Sequence, residues 1–255
     1  MKAWQIFMHS VRQVTGNFES ALKISLIPTL IMTVASVLLL GGAGLMAPDD
    51  GIESPGAVAG ISLGLIVMLI VLIAGSMWIA VNWHRFVLLG EAPQGYVPTF
   101  RGDRVWAYFR RSIGMFLVLI AASLLLTLIG GLVGALFGRL FGEGGLIISL
   151  DLIVWLSMVL LGYRLTISLP GAALGSELGL MAGLNATKDD NVTIFLLALI
   201  SVFATLALGM LGGLLSAIPV LGTGIGFLSQ WLVTMVGLSI LTTLYGHYVE
   251  GRALS

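Results

Sequence analysis

Residues 109–139 read FRRSIGMFLVLIAASLLLTLIGGLVGALFGR, where two arginines precede a long apolar run that contains no charged residue. About 20 apolar residues are enough to cross the roughly 30 Å of hydrocarbon in a bilayer. The run from 113 to 138 is therefore long enough to form a membrane-spanning helix. This stretch predicts a protein whose solvent is the lipid bilayer.

Five further runs of the same kind flank this one. Hydrophobic residues make up 58% of the chain and charged residues only 9%, a composition that excludes an ordinary soluble domain. We expect an all-α, polytopic membrane bundle of six transmembrane helices that forms one integral membrane domain over residues 1–255. The predicted spans are 24–46, 57–83, 113–138, 146–168, 192–220 and 222–248.

Basic residues fall almost entirely in alternate gaps between these spans. Of the twelve Lys and Arg residues, only Arg139 lies in a gap that faces the other way. Short loops rich in Lys and Arg stay in the cytoplasm. The pattern predicts a multi-pass membrane protein with both termini cytoplasmic, and the run near the N-terminus is interpreted as uncleaved.

Amphipathic segments precede the first, third and fifth spans. In the first, Trp4, Phe7, Val11 and Val14 recur at steps of three and four, which predicts a helix that either lies in the inner interface or packs on its neighbours. In the second, Asp103 caps a helix with Trp106, Phe109 and Ile113 on one face. The third is predicted over 176–190, with Leu178, Met181 and Leu184 on its apolar side.

This regularity suggests three parallel repeats, each a helical hairpin preceded by an interfacial helix, at approximately 1–95, 96–175 and 176–255. Thr127, Gly131 and Gly134 recur at the matching positions Thr205, Gly209 and Gly212. Small residues also recur every four positions, at Gly130, Gly134 and Gly138 and again at Gly209, Gly213 and Ala217. Such stripes favour close helix packing, either within the bundle or in a homodimer or other membrane-protein partnership.

Few polar residues lie inside the spans, and we expect any functional residues to be among them. Asp151 falls about two turns from the outer end of the fourth span, and an ionisable group at that depth is a functional hypothesis by default. Gln230 and Ser229 lie at a similar depth in the sixth span, with Arg139 as a candidate partner for Asp151. Two interpretations are open: a proton or cation site, or a hydrogen-bonded strut. The sequence shows no polar trail leading inward, which favours the strut.

The basic loops offer a second candidate site. Anionic lipid headgroups attract juxtamembrane arginines by roughly 1 kcal/mol each. The candidate lipid contacts are Arg85, Arg101, Arg104, Arg110 and Arg111. The same arginines also account for the predicted topology.

Catalytic and cofactor motifs are not evident in this sequence. It contains no H-E-x-x-H, G-x-S-x-G or phosphate-loop pattern, and zero cysteines exclude thiolate chemistry. His9, His84 and His247 lack the spacing of metal ligands, and their positions near the inner boundary are explained by the interface. We therefore expect no enzyme activity, no cofactor, no metal and no nucleic-acid partner.

Residues Thr15 to Phe18 read Thr-Gly-Asn-Phe, a proline lies in the first span, and Ala186-Thr187-Lys188 precedes the fifth. In this order the chain resembles uncharacterised bacterial six-span proteins related to the membrane domain of some glycerophosphodiester phosphodiesterases. The resemblance implies a protein of the bacterial inner (plasma) membrane whose role is unassigned. The chain holds no phosphodiesterase domain, so that activity is implied for none of its residues.

Two classes of function remain from the sequence. One is a non-enzymatic membrane component that packs against lipids or partners. The other is a small carrier of a solute, ion or proton that uses Asp151 and Gln230.

Overall fold

The computed structural model describes the backbone of residues 1–45, 55–141, 143–215 and 219–254, and side chains in these ranges except at 40–45, 55–57, 134–141, 143–153, 215, 219–221 and 223. These residues form α-helices and no strand. The helices are α1 Lys2–Gly16, α2 Phe18–Leu45, α3 Pro55–Leu89, α4 Gly102–Phe141, α5 Glu143–Thr166, α6 Ser168–Leu174, α7 Ala182–Ala186, α8 Asn191–Leu215 and α9 Pro219–Tyr248.

Six segments of the described chain are long and apolar enough to cross a membrane, which confirms the predicted six-span helical class. They are Phe18–Leu39, Val58–Leu89, Gly102–Val133, Val154–Leu174, Asn191–Leu214 and Gly224–Tyr248. The helices packed most extensively on each other include the consecutive pairs α2 with α3 and α4 with α5, and α8 also packs on α9. The predicted pairing into hairpins thus describes which helices are neighbours, whereas a common origin of the three units stays a prediction.

The leader forms a separate helix, α1, that packs against α8 and α9. Its buried side chains are Ala3, Ile6, Ser10 and Val14, whereas Trp4 is 52% exposed. The predicted apolar face was therefore only partly right. The face of α1 that contacts the other helices is centred on Ile6 and Ser10 instead. Trp4 lies beside this face and stacks on Phe7, with ring centroids 5.7 Å apart.

The other two predicted amphipathic segments differ from each other. The segment at Asp103 is continuous with the third span in the single helix α4. The segment 176–190 is helical only over the five residues of α7, so the helix predicted there was wrong in extent. Gly175 ends α6 with a φ of +83°, and a Cβ at Gly183 would lie 2.0 Å from the carbonyl oxygen of Arg164. Gly175 thus ends the helix before this segment, and Gly183 lets α7 lie against the backbone of Arg164.

The buried core lies toward one end of the bundle, where α1, α6 and the end of α9 meet. It comprises three clusters built around Leu244, Trp83 and Leu169. Farther along the spans, large apolar side chains such as Leu63, Leu124 and Leu206 are more than half exposed. Lipid tails are as apolar as leucine, so these surfaces need no protein partner.

Gly209, in the glycine stripe on α8, has no close neighbour among the described residues. A Cβ added at Gly209 would meet nothing within 4 Å, and the same holds for Gly131 on α4. Gly209 therefore does not serve to bring α8 close to another described helix of this chain. The surroundings of Gly134, Gly138 and Ala217 lie outside the described part of the chain.

Candidate functional site

Basic residues from distant parts of the sequence gather where the core lies, and we call this region the basic end. It contains Lys2, Arg85, Arg101, Arg104, Arg110, Arg111, Arg164 and Arg252. Lys2 Nζ lies 2.6 Å from Asp190 Oδ2, whose same oxygen accepts a 2.6 Å hydrogen bond from the Tyr248 hydroxyl. The beginning of α1 and the end of α9 therefore lie at the same end of the bundle.

Arg85 is buried on the last turn of α3 and joins three elements. Its Nε donates to Glu91 Oε2 at 2.9 Å, and its Nη1 donates to the carbonyl oxygen of Ala173, in α6, at 3.1 Å. Arg101 contacts the same carboxylate at 3.1 Å. The hydrogen bond from Arg85 lowers the pKa of Glu91, against the opposing effect of burial. Arg85 thus links α3, α6 and the loop that contains Glu91.

Other arginines of the basic end also bind backbone carbonyls. Arg111 Nη1 donates to Ser168 O at 2.9 Å, and Arg252 Nη2 donates to Leu88 O at 2.7 Å. Arg164 donates to the Thr187 hydroxyl at 2.9 Å and also to Leu184 O. The carbonyls of Leu88 and Leu184 lie in the last turn of their helices, where carbonyls lack intrahelical donors and carry a partial negative charge, so a guanidinium stabilises them.

These contacts distinguish the five arginines predicted to hold lipid. Arg85 and Arg111 are committed to internal carbonyls, Arg101 pairs with Glu91, and Arg104 pairs with Asp103 at 3.0 Å. Arg110 is the exposed member of the set. It follows Trp106 and Phe109, whose stacked rings lie 5.3 Å apart.

His84 lies inside the bundle, and its predicted place at the interface was wrong. Its side chain is fully buried; Nδ1 lies 2.7 Å from the Thr242 hydroxyl and Nε2 lies 3.4 Å from the Tyr108 hydroxyl. His9 lies 3.0 Å from the Gln13 amide. No group of three or more His, Asp or Glu residues that could hold a metal occurs within the described part of the chain.

Gln230 lines a groove of about 420 Å³ between α2 and α9, and α3 forms its floor. We call this the α2/α9 groove. Its polar side chains are Ser25, Thr29, Thr33, Ser36, Ser76, Gln230 and Thr234. Asp151 and Arg139 lie outside the residues whose side chains are described, so their predicted pairing with Gln230 stays a prediction. Ser229 is half-buried on α9 and does not line the groove.

The groove corrects the expectation that no polar trail leads inward from Gln230. Ser25, Thr29, Thr33 and Ser36 follow one another at steps of four, four and three along α2, which places them on one helical face. Gln230 and Thr234 are likewise one turn apart on α9. This spacing is visible in the sequence. It indicates a polar groove only once the fold places the polar faces of α2 and α9 opposite each other.

Comparison of the chain with protein-family models, with curated proteins and with solved structures gives no match. The resemblance carried by residues 15–18 and 186–188 therefore stays a prediction. Function has to be argued from the basic end and the α2/α9 groove.

Proposed function

We propose that this chain is a non-enzymatic multi-pass protein of the bacterial inner membrane that binds anionic lipid at its basic end. Both termini lie in the cytoplasm. The observation that carries the proposal is Arg110, an exposed guanidinium beside the aromatic pair of Trp106 and Phe109 on a helix that continues directly into the membrane.

The surroundings of Arg110 suit a headgroup. Tryptophan is enriched at the boundary between lipid and water, where its ring is partly apolar and partly wet. Trp106 is 57% exposed, so the side chains next to Arg110 are open to lipid. An arginine fixed at this depth attracts an anionic headgroup by roughly 1 kcal/mol.

Lipid binding is tested on the purified full chain in nanodiscs that contain phosphatidylglycerol or only phosphatidylcholine. Native mass spectrometry should detect retained phosphatidylglycerol, and Arg110→Gln should reduce it about fivefold, the factor that corresponds to roughly 1 kcal/mol. Arg110→Lys is the matched control because it keeps the charge. Equal retention by the parent and by Arg110→Gln would contradict the proposal.

The orientation is tested with topology reporters. A reporter fused after Ser255 should read cytoplasmic, and one inserted between Asp49 and Asp50 should read periplasmic. The reverse result would overturn the predicted orientation.

A carrier for a small solute, ion or proton is the second candidate, and the position of Gln230 on a groove with hydroxyls along its length favours it. In reconstituted vesicles under a proton or solute gradient, this function requires flux that Asp151→Asn and Gln230→Leu abolish without loss of folding. Absence of flux from the correctly folded parent would count against the carrier.

A further inference from the structure

We propose that the α2/α9 groove binds a membrane lipid whose headgroup is uncharged and carries a free hydroxyl, of the diacylglycerol type. The site goes beyond the anionic-lipid contact at Arg110, because it lies on other helices and uses a different chemistry. The headgroup hydroxyl donates a hydrogen bond to an oxygen of Thr33, Ser36 or Gln230, and the acyl chains remain against apolar side chains.

The hydrogen bonds within the groove determine what its hydroxyls offer to a ligand. Thr33 donates to Thr29 O at 2.9 Å and Ser36 donates to Met32 O at 2.8 Å. On the facing helix, Thr234 donates to Gln230 O at 2.9 Å. Because these protons are already used within each helix, the hydroxyl oxygens present lone pairs to the groove. The walls are therefore rich in acceptors.

Among the residues that the structure describes, the lining of the groove contains no charged side chain. A charged headgroup placed there would lose its hydration without an opposite charge to compensate, which is costly in an apolar surrounding. A neutral hydroxyl loses much less and donates to the acceptors that the walls present. The lining therefore favours an uncharged ligand group that donates a hydrogen bond.

The shape of the groove selects a lipid over a free polyol. The lining residues on α2 extend from Ser25 to Val37, which is about 18 Å along the helix at 1.5 Å per residue and is close to one leaflet of the hydrocarbon core. Leu30 and Val34 on α2 and Leu228 on α9 are exposed near its edges. A ligand that enters across such a rim comes from the bilayer and must itself be largely apolar.

Trp231 determines how the groove ends. Its Nε1 donates to the Ser25 hydroxyl at 2.7 Å and so joins α9 to α2 across the groove. Ser25 is thereby occupied, and among the remaining acceptors, which include Thr234, we assign Thr33, Ser36 and Gln230 to the headgroup. The apolar wall beside them includes Leu72, Ile79 and Phe227.

The test compares two ligands with identical tails on the purified full chain in phosphatidylcholine nanodiscs. These are 1,2-dioleoylglycerol and its 3-acetyl ester, which lacks the hydroxyl donor. Native mass spectrometry should show about fivefold tighter binding of the alcohol, as expected for one hydrogen bond. Equal binding of alcohol and ester would overturn the proposal.

Variants locate the site. Thr33→Val with Gln230→Leu should abolish the preference for the alcohol, whereas Thr127→Val, a matched change at an exposed position on α4, should retain it. Circular dichroism and thermal unfolding confirm that each variant is folded, and a misfolded double variant is replaced by Thr33→Val with Ser36→Ala. A preference that survives both double variants contradicts the assignment.

Two further experiments distinguish lipid binding in the groove from anionic-lipid binding at Arg110 and from binding of a free polyol. Arg110→Gln should leave the preference for the alcohol unchanged, so that lipid binding at the basic end and in the groove can fail independently. Free glycerol should not compete with dioleoylglycerol; competition would overturn the choice of a lipid as the occupant.

Discussion

His84 Nδ1 lies 2.7 Å from the hydroxyl oxygen of Thr242, and both side chains are fully buried between α3 and α9. The Thr242 hydroxyl also donates to Leu238 O at 2.7 Å. The pair therefore connects the second span to the last through one polar contact inside the core.

Replacement of Thr242 by valine tests the energetic weight of this contact. Valine keeps the shape but leaves a buried ring nitrogen without its partner, so we expect a loss of about 1–3 kcal/mol in the free energy of unfolding. Thermal and denaturant unfolding in detergent measure it. Thr205→Val, at an exposed position on α8, should change stability by less than about 0.5 kcal/mol. Equal effects of the two changes would argue against a special role for the pair.

Gly183→Ala should destabilise the protein through backbone crowding. The new Cβ would lie 2.0 Å from the carbonyl oxygen of Arg164, and a backbone atom cannot move aside as a flexible side chain can. We expect a loss of roughly 1–3 kcal/mol, typical of overpacking. Gly179→Ala is the control, because a Cβ at Gly179 would meet nothing within 4 Å. Similar melting temperatures for both variants would show that the contact relaxes freely.

The contact between Lys2 and Asp190 should make stability depend on pH. Burial raises the pKa of Asp190, but hydrogen bonds from Lys2, Thr193 and Tyr248 outweigh it and lower the pKa to about 2. A carboxylate with a lowered folded-state pKa stabilises the fold above its unfolded pKa of about 4, and this stability is lost as the pH falls toward 2. Asp190→Asn should remove this component. Melting curves between pH 6 and pH 2 check it, and parallel pH profiles for parent and variant would refute it.

Arg85 and Glu91 should behave as a coupled pair. Arg85→Gln removes a buried guanidinium that binds both Glu91 and Ala173 O, and we expect a loss of about 3 kcal/mol. Glu91→Gln should cost less, because the Glu91 side chain is 37% exposed. A double-mutant cycle from unfolding data should give a coupling of at least about 0.5 kcal/mol, and strict additivity would exclude the pair as a unit.

The spans were predictable because the length of an apolar run is a local property, and the bilayer fixes the length required. The groove was not predictable in the same way. Thr33 and Ser36 are ordinary residues in an apolar helix until α9 brings Gln230 opposite them, and that placement is made by contacts some 200 residues apart in sequence, such as Trp231 with Ser25.

Two predictions that were wrong, the helix over 176–190 and the interfacial position of His84, also have physical causes. The apolar spacing of Leu178, Met181 and Leu184 favours a helix over the whole segment, but only Ala182–Ala186 is helical, and the left-handed conformation at Gly175 ends the preceding helix. His84 lies next to Arg85 near the end of α3, which suggested an interfacial position. The fold covers that turn with α9 and α4, so the ring is buried.

The contact of Arg85 with Ala173 O has a consequence for assembly. Arg85 ends the first hairpin, whereas Ala173 follows the second, so the two meet only when both hairpins cross the membrane in the same direction. A middle hairpin inserted upside down would carry its acceptor to the opposite leaflet, and the guanidinium cannot follow it across the hydrocarbon. The bond between Arg85 and Ala173 O therefore forms only in a chain whose first two hairpins share one orientation.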